Sequence, residues 1–273
     1  MKNIIHKVFR RVLPKIIADA AIQYTQPKKY ECPCCKNKLS YFEPLPNFFL
    51  KKFDEYTFKY SIFQFETLNI FQYSCPICGV SDRERMYALY LDEKLSKLDT
   101  QQQYKFLDFA PNFNFSNKVI KLKYPFINYR SADLYSQNVD DTNVDIQNMF
   151  QYVDNSIDFF ICSHILEHVL NDKIAMKELY RILKPTGFGI VMVPIQIFLQ
   201  EDAESNTYDI SEAEKWHLYG QNDHIRQYSK QGFITKLQQT GFKISCLNID
   251  YFGEEKFIKH GIHRRSVLYV VEK

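Results

Sequence analysis

Short apolar runs separated by mixed segments dominate the chain after residue 104. KFLDFA, FINYRSAD, SIDFFICS and GFGIVMVPI are the four clearest. Runs of that length and composition suit strands buried on both faces. VDIQN is a shorter and weaker strand candidate. Between the last two long runs the spacing turns helical in NDKIAMKELYRILKPTG: Ile174, Leu179, Ile182 and Leu183 share a face, and Pro185 with Gly187 ends it. Upstream, SDRERMYALYLDEKLSKL begins with Ser81 and Glu84 in capping-box spacing and predicts another helix. SKQGFITKLQQTG predicts a helix, and FKISCLNID and SVLYVVEK two strands. With no helix expected between those two, they should form an antiparallel hairpin at one edge. Strand and helix alternating in this way predict an α/β, doubly wound, mostly parallel sheet covered on both faces, with ligands bound at the strands' carboxyl ends.

The first 80 residues read differently. In MKNIIHKVFRRVLPKIIADA, Ile4, Ile5, Val8, Phe9, Val12, Leu13, Ile16 and Ile17 fall at helical spacing, while Lys2, Lys7, Arg10, Arg11 and Lys15 take other faces. Basic residues interrupt every apolar run, so this is no signal-peptide core. A basic amphipathic helix over residues 1–25 is expected, kinked or split at Pro14. Its residues 1–20 suit peripheral contact with an anionic membrane surface, or docking on the chain's own domain. Residues 30–80 form a small aromatic unit in which Tyr56, Phe58, Tyr60 and Ile62 alternate as one strand face would. Residues 81–273 then make the main domain.

Composition adds bounds. At 273 residues the chain can bury a full core. Lys+Arg 35 against Asp+Glu 32 leaves +3, too little to argue for nucleic acid from bulk charge. No apolar run reaches transmembrane length. The seven cysteines are an odd number without a secretory signal, which points to a reducing, cytoplasmic setting, at the inner face of the membrane if the first helix binds there. Cys32-Pro-Cys-Cys35 and Cys75-Pro-Ile-Cys78-Gly79 are paired C-x-x-C knuckles. Four thiolates from two tight turns, Cys32, Cys35, Cys75 and Cys78, suit a structural Zn²⁺ and leave no open coordination position. Cys34 is surplus and could replace Cys32 or Cys35.

Candidate chemistry lies at the strand ends. Asp108-Phe-Ala-Pro-Asn follows the first long strand without a G-x-G, so close backbone approach to a pyrophosphate is not supported. Asp133 ends the next strand, placed to accept hydrogen bonds from ribose hydroxyls. Asp145 follows in VDIQN, where a carboxylate could receive an adenine amino group. His164, Glu167 and His168 spell H-x-x-E-H, a pattern that also occurs in zinc peptidases. Here it follows directly on SIDFFICS, at a strand-to-helix turn, and the cysteines already account for zinc. His164 is the first choice of general base, with His168 one turn on and Glu167 orienting, or all three could hold a divalent metal. A second polar cluster, GQNDHIRQY, offers Asp223 with His224 as a base pair and Arg226 as an anion clamp, while Trp216 and Tyr219 could stack on a sugar or base.

The run from Lys105 to Ile195 resembles the class I S-adenosylmethionine-dependent methyltransferases, of the type 11-like kind. The likeness is carried by SIDFFICSHILEHV, ELYRILKPTG and GQNDHIRQYSKQGF. With the zinc-ribbon-like cysteines in front, the order over about residues 30–273 is similar to a bacterial subgroup associated with surface polysaccharides. The resemblance implies a Rossmann-like, seven-stranded sheet preceded by a small zinc-binding domain, with S-adenosylmethionine as cofactor. It implies that Asp133 holds the ribose and Asp145 with Ile146 the adenine. Phe109, Ala110 and Ser163 would line the methionine part, with Asp108 and Leu134 beside the pocket. The implied acceptor is a glycan or lipid-linked sugar, more than the ribosomal RNA of other zinc-bearing methyltransferases. Ala110, Pro111 and Asn112 replace the family's glycines, and a binding module that has lost the cofactor is the non-enzymatic alternative.

Overall fold

The computed structural model describes residues 25–273. The basic helix expected over residues 1–25, with its membrane contact through residues 1–20, falls outside the described residues except for Thr25. Among the described residues no helix is long and apolar enough to cross a membrane.

The first cysteine knuckle is framed by β1 (Tyr30–Glu31) and β2 (Lys38–Leu39), which pair antiparallel. Helix α1 (Asn47–Glu55) follows. The strand expected over residues 56–62 does not form; the chain turns and continues as a 3₁₀ turn, Ile62–Gln64. Among the described residues no partner strand lies alongside, and the rings pack on one another instead: Phe53 on Phe58 with centroids 4.8 Å apart, Phe58 on Phe65 at 6.0 Å. Helix α2 (Asp82–Leu95) starts at Ser81, whose hydroxyl caps the backbone N–H of Glu84 while the Glu84 carboxylate accepts from Ser81, as the capping box requires.

The main sheet is built by β3 (Tyr104–Phe109), β4 (Ile127–Asp133), β5 (Asp141–Thr142), β6 (Ile157–Ser163) and β7 (Leu183–Met192), all parallel. Between β3 and β4 runs the short helix α3 (Phe113–Ser116), and between β6 and β7 helix α4 (Asp172–Ile182). The third strand precedes VDIQN rather than lying in it. Helix α4 buries Ala175, Met176, Leu179 and Ile182, whereas Ile174 is exposed and Leu183 already belongs to β7. Pro185 and Gly187, expected to end the helix, lie within that strand. Gly187 is required there: a Cβ would sit 2.3 Å from the Asp158 carbonyl oxygen, beside a bulge in the β6–β7 pairing.

A small second sheet joins β8 (Ile195–Gln196), β9 (Ala203–Glu204) and β10 (Arg226–Ser229) in the order β8-β10-β9, with helix α5 (Glu212–Tyr219) between β9 and β10. Helix α6 (Lys230–Thr240) leads into β11 (Lys243–Leu247). Two short helices, α7 (Ile249–Phe252) and α8 (Glu254–Lys259), separate β11 from β12 (Leu268–Glu272), where none was expected. The full order is β11-β12-β7-β6-β3-β4-β5, and β12 inserts antiparallel between β11 and β7. The seven-stranded, mostly parallel sheet with an antiparallel pair at one side is thus present.

Arg85 joins the cysteine-bearing unit to this body. Its wholly buried guanidinium donates to the carbonyls of Tyr73 and Val80 beside the second knuckle, and of His260 and Gly261 before β12, and lies 3.9 Å from the Phe42 ring. The boundary near residue 80 is therefore a boundary in sequence and not a gap in packing.

Candidate active site and cysteine cluster

At the carboxyl ends of β3, β4 and β6 lies a cavity of about 470 Å³. Phe109, Ala110, Asp133, Leu134, Asp145 and Ile146, all nominated from sequence for the cofactor, line it. Ala110 takes φ +48°, the left-handed turn that glycine usually provides, and its N–H donates to Ala132 O at 2.9 Å. Asp133 Oδ1 accepts from the N–H groups of Tyr135 and Ser136, at 2.7 and 2.8 Å, and among the described residues no hydrogen bond uses Oδ2. Asp145 Oδ1 similarly accepts from Gln147 N–H at 2.8 Å.

Asp108 and Ser163 face an adjoining cavity of about 240 Å³, which shares Phe109 and Ala110 with the first. Ser163 Oγ lies 2.9 Å from the Tyr87 hydroxyl. Asp108 is buried, accepts from Tyr129 OH at 2.8 Å, and its carboxyl is pushed by burial up to about 7. Arg83 was not nominated from sequence. It lines this cavity and a third one, and its Nε is buried without a hydrogen-bond partner among the described residues. Its only sequence signal is its place in the first turn of α2, directly after the second knuckle.

His164 directly follows β6 at φ +57°, and its N–H bonds Met192 O at 2.8 Å. Leu166–His168 forms a 3₁₀ turn, so H-x-x-E-H is not one face of an α-helix. Glu167 is fully buried, with Oε1 3.3 Å from His164 Nδ1 and 3.9 Å from His224 Nε2. Burial pushes the Glu167 carboxyl up, but His164, His168 and His224 outweigh it and hold it at about 2. Burial, and for His164 also the Arg83 charge, lowers the His164 and His224 imidazoles below their ordinary value, so both are neutral at pH 7.

Three sequence assignments need correction. Asp223 does not pair with His224: it lies 3.5 Å from His168 Nδ1 through Oδ2, while His224 turns inward toward Glu167. Arg226 is no substrate clamp. It is buried and donates to Leu166 O at 2.9 Å, Val169 O at 3.0 Å and Leu170 O at 3.2 Å, so it fastens the histidine turn to β10. Trp216 is buried against Phe48, Phe53 and Tyr56 and offers no free face for stacking. Tyr219 does line a third cavity, about 320 Å³, with Phe49, Phe53, Phe65 and Tyr73. His164, His168 and Asp223 line both this cavity and the first.

The cysteine sulfurs pass a geometric test for zinc. Four ligands at the Zn–S distance of about 2.3 Å stand about 3.8 Å apart in a tetrahedron. Cys32 and Cys78 sulfurs lie 3.7 Å apart, those of Cys35 and Cys75 3.9 Å, and all four fall within 4.8 Å of one another. Cys34 is not among them; its thiol faces Glu84 O at 3.9 Å. Gly79, which closes the second knuckle at φ +73°, also lines the 240 Å³ cavity, so the knuckle forms part of its wall.

Residues 105–191 match a family profile described as "Methyltransferase domain". That segment is a methyltransferase domain. It contains β3 to β6, helix α4 and most of β7, together with the cavity residues from Phe109 to Ile146 and His164, Glu167 and His168. The cysteine unit, Asp223 and His224 lie outside the matched segment but pack against the methyltransferase domain. No curated protein matches the chain. Among solved structures, the CurJ carbon methyltransferase is similar at 13% identity and TM-score 0.46, over 70% of this chain and 54% of that one. The CMeT domain of the citrinin polyketide synthase gives 14% and 0.45, over 70% and 52%. A SAM dependent methyltransferase from Archaeoglobus fulgidus gives 10% and 0.42, over 70% and 94%. The chain thus spans about half the length of the first two. At these scores and identities the likenesses carry no information on substrate.

Proposed function

We propose that the chain is an S-adenosylmethionine-dependent O-methyltransferase acting on a glycan or lipid-linked saccharide. The observation that carries this reading is the meeting of two cavities at His164: one walled by Asp133 and Asp145 at neighbouring strand ends, the other lined by aromatic rings. Asp133 suits the ribose hydroxyls and Asp145 with Ile146 the adenine. The donor's sulfonium is cationic and carries no phosphate, so a cradle of glycines is not needed, and carboxylates and carbonyls nearby favour it.

Methyl transfer is an in-line displacement, and a hydroxyl acceptor must lose a proton. His164, neutral at pH 7, takes that proton on Nε2, with Glu167 Oε1 lying 3.3 Å behind its Nδ1. The flat faces of Phe49, Phe53, Phe65, Tyr73 and Tyr219 suit the apolar faces of a sugar ring. A Zn²⁺ on Cys32, Cys35, Cys75 and Cys78 would stiffen the wall nearest the cofactor. The basic helix read from sequence in residues 1–20 would keep the enzyme near an acceptor at the inner membrane surface.

The test is transfer of labelled methyl from S-adenosylmethionine into glycan, lipid-linked saccharide and RNA fractions. Label should enter a saccharide fraction, and His164→Ala should abolish it while S-adenosylhomocysteine still binds. Label in RNA alone, or unchanged turnover in His164→Ala, contradicts the proposal.

A further inference from the structure

Glu167 presents an unusual electrostatic situation. It has no exposed surface, and neither carboxylate oxygen accepts a hydrogen bond among the described residues. An anion so placed is strongly unfavourable unless something positive or donating meets it. The nearest histidine outside its own turn does not donate. His224 Nδ1 lies 3.2 Å from the Tyr219 carbonyl, which can only accept, so the hydrogen sits on Nδ1 and Nε2 turns a lone pair toward Glu167 Oε1. His168 is arranged alike. Its Nδ1 lies 3.3 Å from the Asp223 carbonyl and 3.5 Å from the Asp223 carboxylate, which leaves Nε2 as the unprotonated nitrogen. A carbonyl or carboxylate behind the far ring nitrogen is how metal-bearing imidazoles are commonly oriented.

We propose that Glu167, His168 and His224 bind a divalent first-row transition ion through one carboxylate oxygen and the two Nε2 atoms. One donor atom from each residue lies within 4.8 Å of the other two, and the set of two imidazoles and one carboxylate leaves coordination positions open. His164 is not a ligand in this arrangement; it contacts Glu167 through Nδ1. His168 lines both the cofactor and the acceptor cavity and His224 the acceptor cavity, so an open position faces the acceptor. The ligand class is therefore an acceptor hydroxyl, or a neighbouring pair of them. The ion's role, though not its binding, rests on the methyl-transfer reading. The bound hydroxyl gives its proton to His164 Nε2, its oxygen bonds the methyl carbon, and the C–S bond breaks with its electron pair left on sulfur.

The full chain, with its cysteine site loaded with zinc, is titrated with Mn²⁺ while free Mn²⁺ is followed by electron paramagnetic resonance. One Mn²⁺ per chain should bind saturably below millimolar concentration, and His224→Asn and Glu167→Gln should each weaken it at least about tenfold. Because Glu167 is buried, the half-buried His168→Gln serves as a second variant, with retention of the S-adenosylhomocysteine thermal shift as the check on folding. No saturable Mn²⁺ or Co²⁺ binding up to millimolar, or equal binding in His168→Gln and His224→Asn, overturns the site. S-adenosylhomocysteine binding without Mn²⁺ binding removes the metal site alone. Mn²⁺ binding with no S-adenosylmethionine or S-adenosylhomocysteine binding removes the methyl-transfer reading and keeps the ion.

Discussion

Arg226→Met is the sharpest test of how the histidine turn is held. Methionine fills much of the arginine volume, so the cavity term is small and the lost polar contacts decide the outcome. The guanidinium bonds three carbonyls at 2.9–3.2 Å. Leu166 O keeps a bond from Tyr228 OH, and Leu170 is partly exposed, but Val169 O loses a buried donor. Asp172 and Glu204, 3.4 and 2.5 Å from Arg226 Nε, both keep Lys236, at 2.8 and 3.1 Å. One fully orphaned carbonyl, two weakened ones and two loosened ion pairs together cost about 3 kcal/mol, since a buried group left without its partner costs about 1–3 kcal/mol. Urea unfolding followed by circular dichroism measures it. Arg226→Lys keeps the charge but not the fork, and should lose an intermediate amount. The released turn should also lower turnover far more than cofactor affinity. A stability loss below about 1 kcal/mol, or turnover unaffected, would refute the assignment of Arg226 as the fastening.

Cys75→Ser should release the metal from the cysteine cluster, destabilise residues 30–80, and weaken cofactor binding because Gly79 and Ser81 wall the adjoining cavity; metal analysis with calorimetry checks all three, and undiminished cofactor affinity would count against that coupling. Asp108 supplies a pH test. Its carboxyl is raised from 3.8 to about 7 in the fold, so its contribution to stability is fully present below about pH 4 and lost as pH rises through about 7. The unliganded protein should therefore lose stability across that window relative to Asp108→Asn, by a few kcal/mol at about 1.4 kcal/mol per pH unit, and parallel pH profiles for the two would contradict the raised value.

Much of this was legible in the sequence where pattern and local chemistry agree. Ser81 and Glu84 marked the start of α2, and the apolar runs from Lys105 to Met192 marked the four long central strands, because strands buried on both faces leave little room for polar residues. One nominated carboxylate per strand end, Asp133 and Asp145, does reach a common cavity. What was not legible depends on packing over long separations. The aromatic alternation at residues 56–62 looked like a strand, but rings cluster without a sheet when other rings, Trp216 above all, are delivered from far along the chain. Arg226 looked like a clamp because its three carbonyl partners, 56 to 60 residues earlier, cannot be read from its neighbours. The pairing of His224 with Glu167, and of Asp223 with His168, likewise follows from how the loop before β10 folds back over the 3₁₀ turn.

The most direct measurement is calorimetric titration of S-adenosylmethionine into the wild-type protein and Asp133→Ala. One molecule should bind per chain, and loss of the carboxylate we propose for the ribose should weaken binding about tenfold to a hundredfold, the worth of a hydrogen bond to a charged group. No heat and no thermal shift at millimolar ligand, or full affinity in Asp133→Ala, would contradict the placement of a nucleoside at these strand ends.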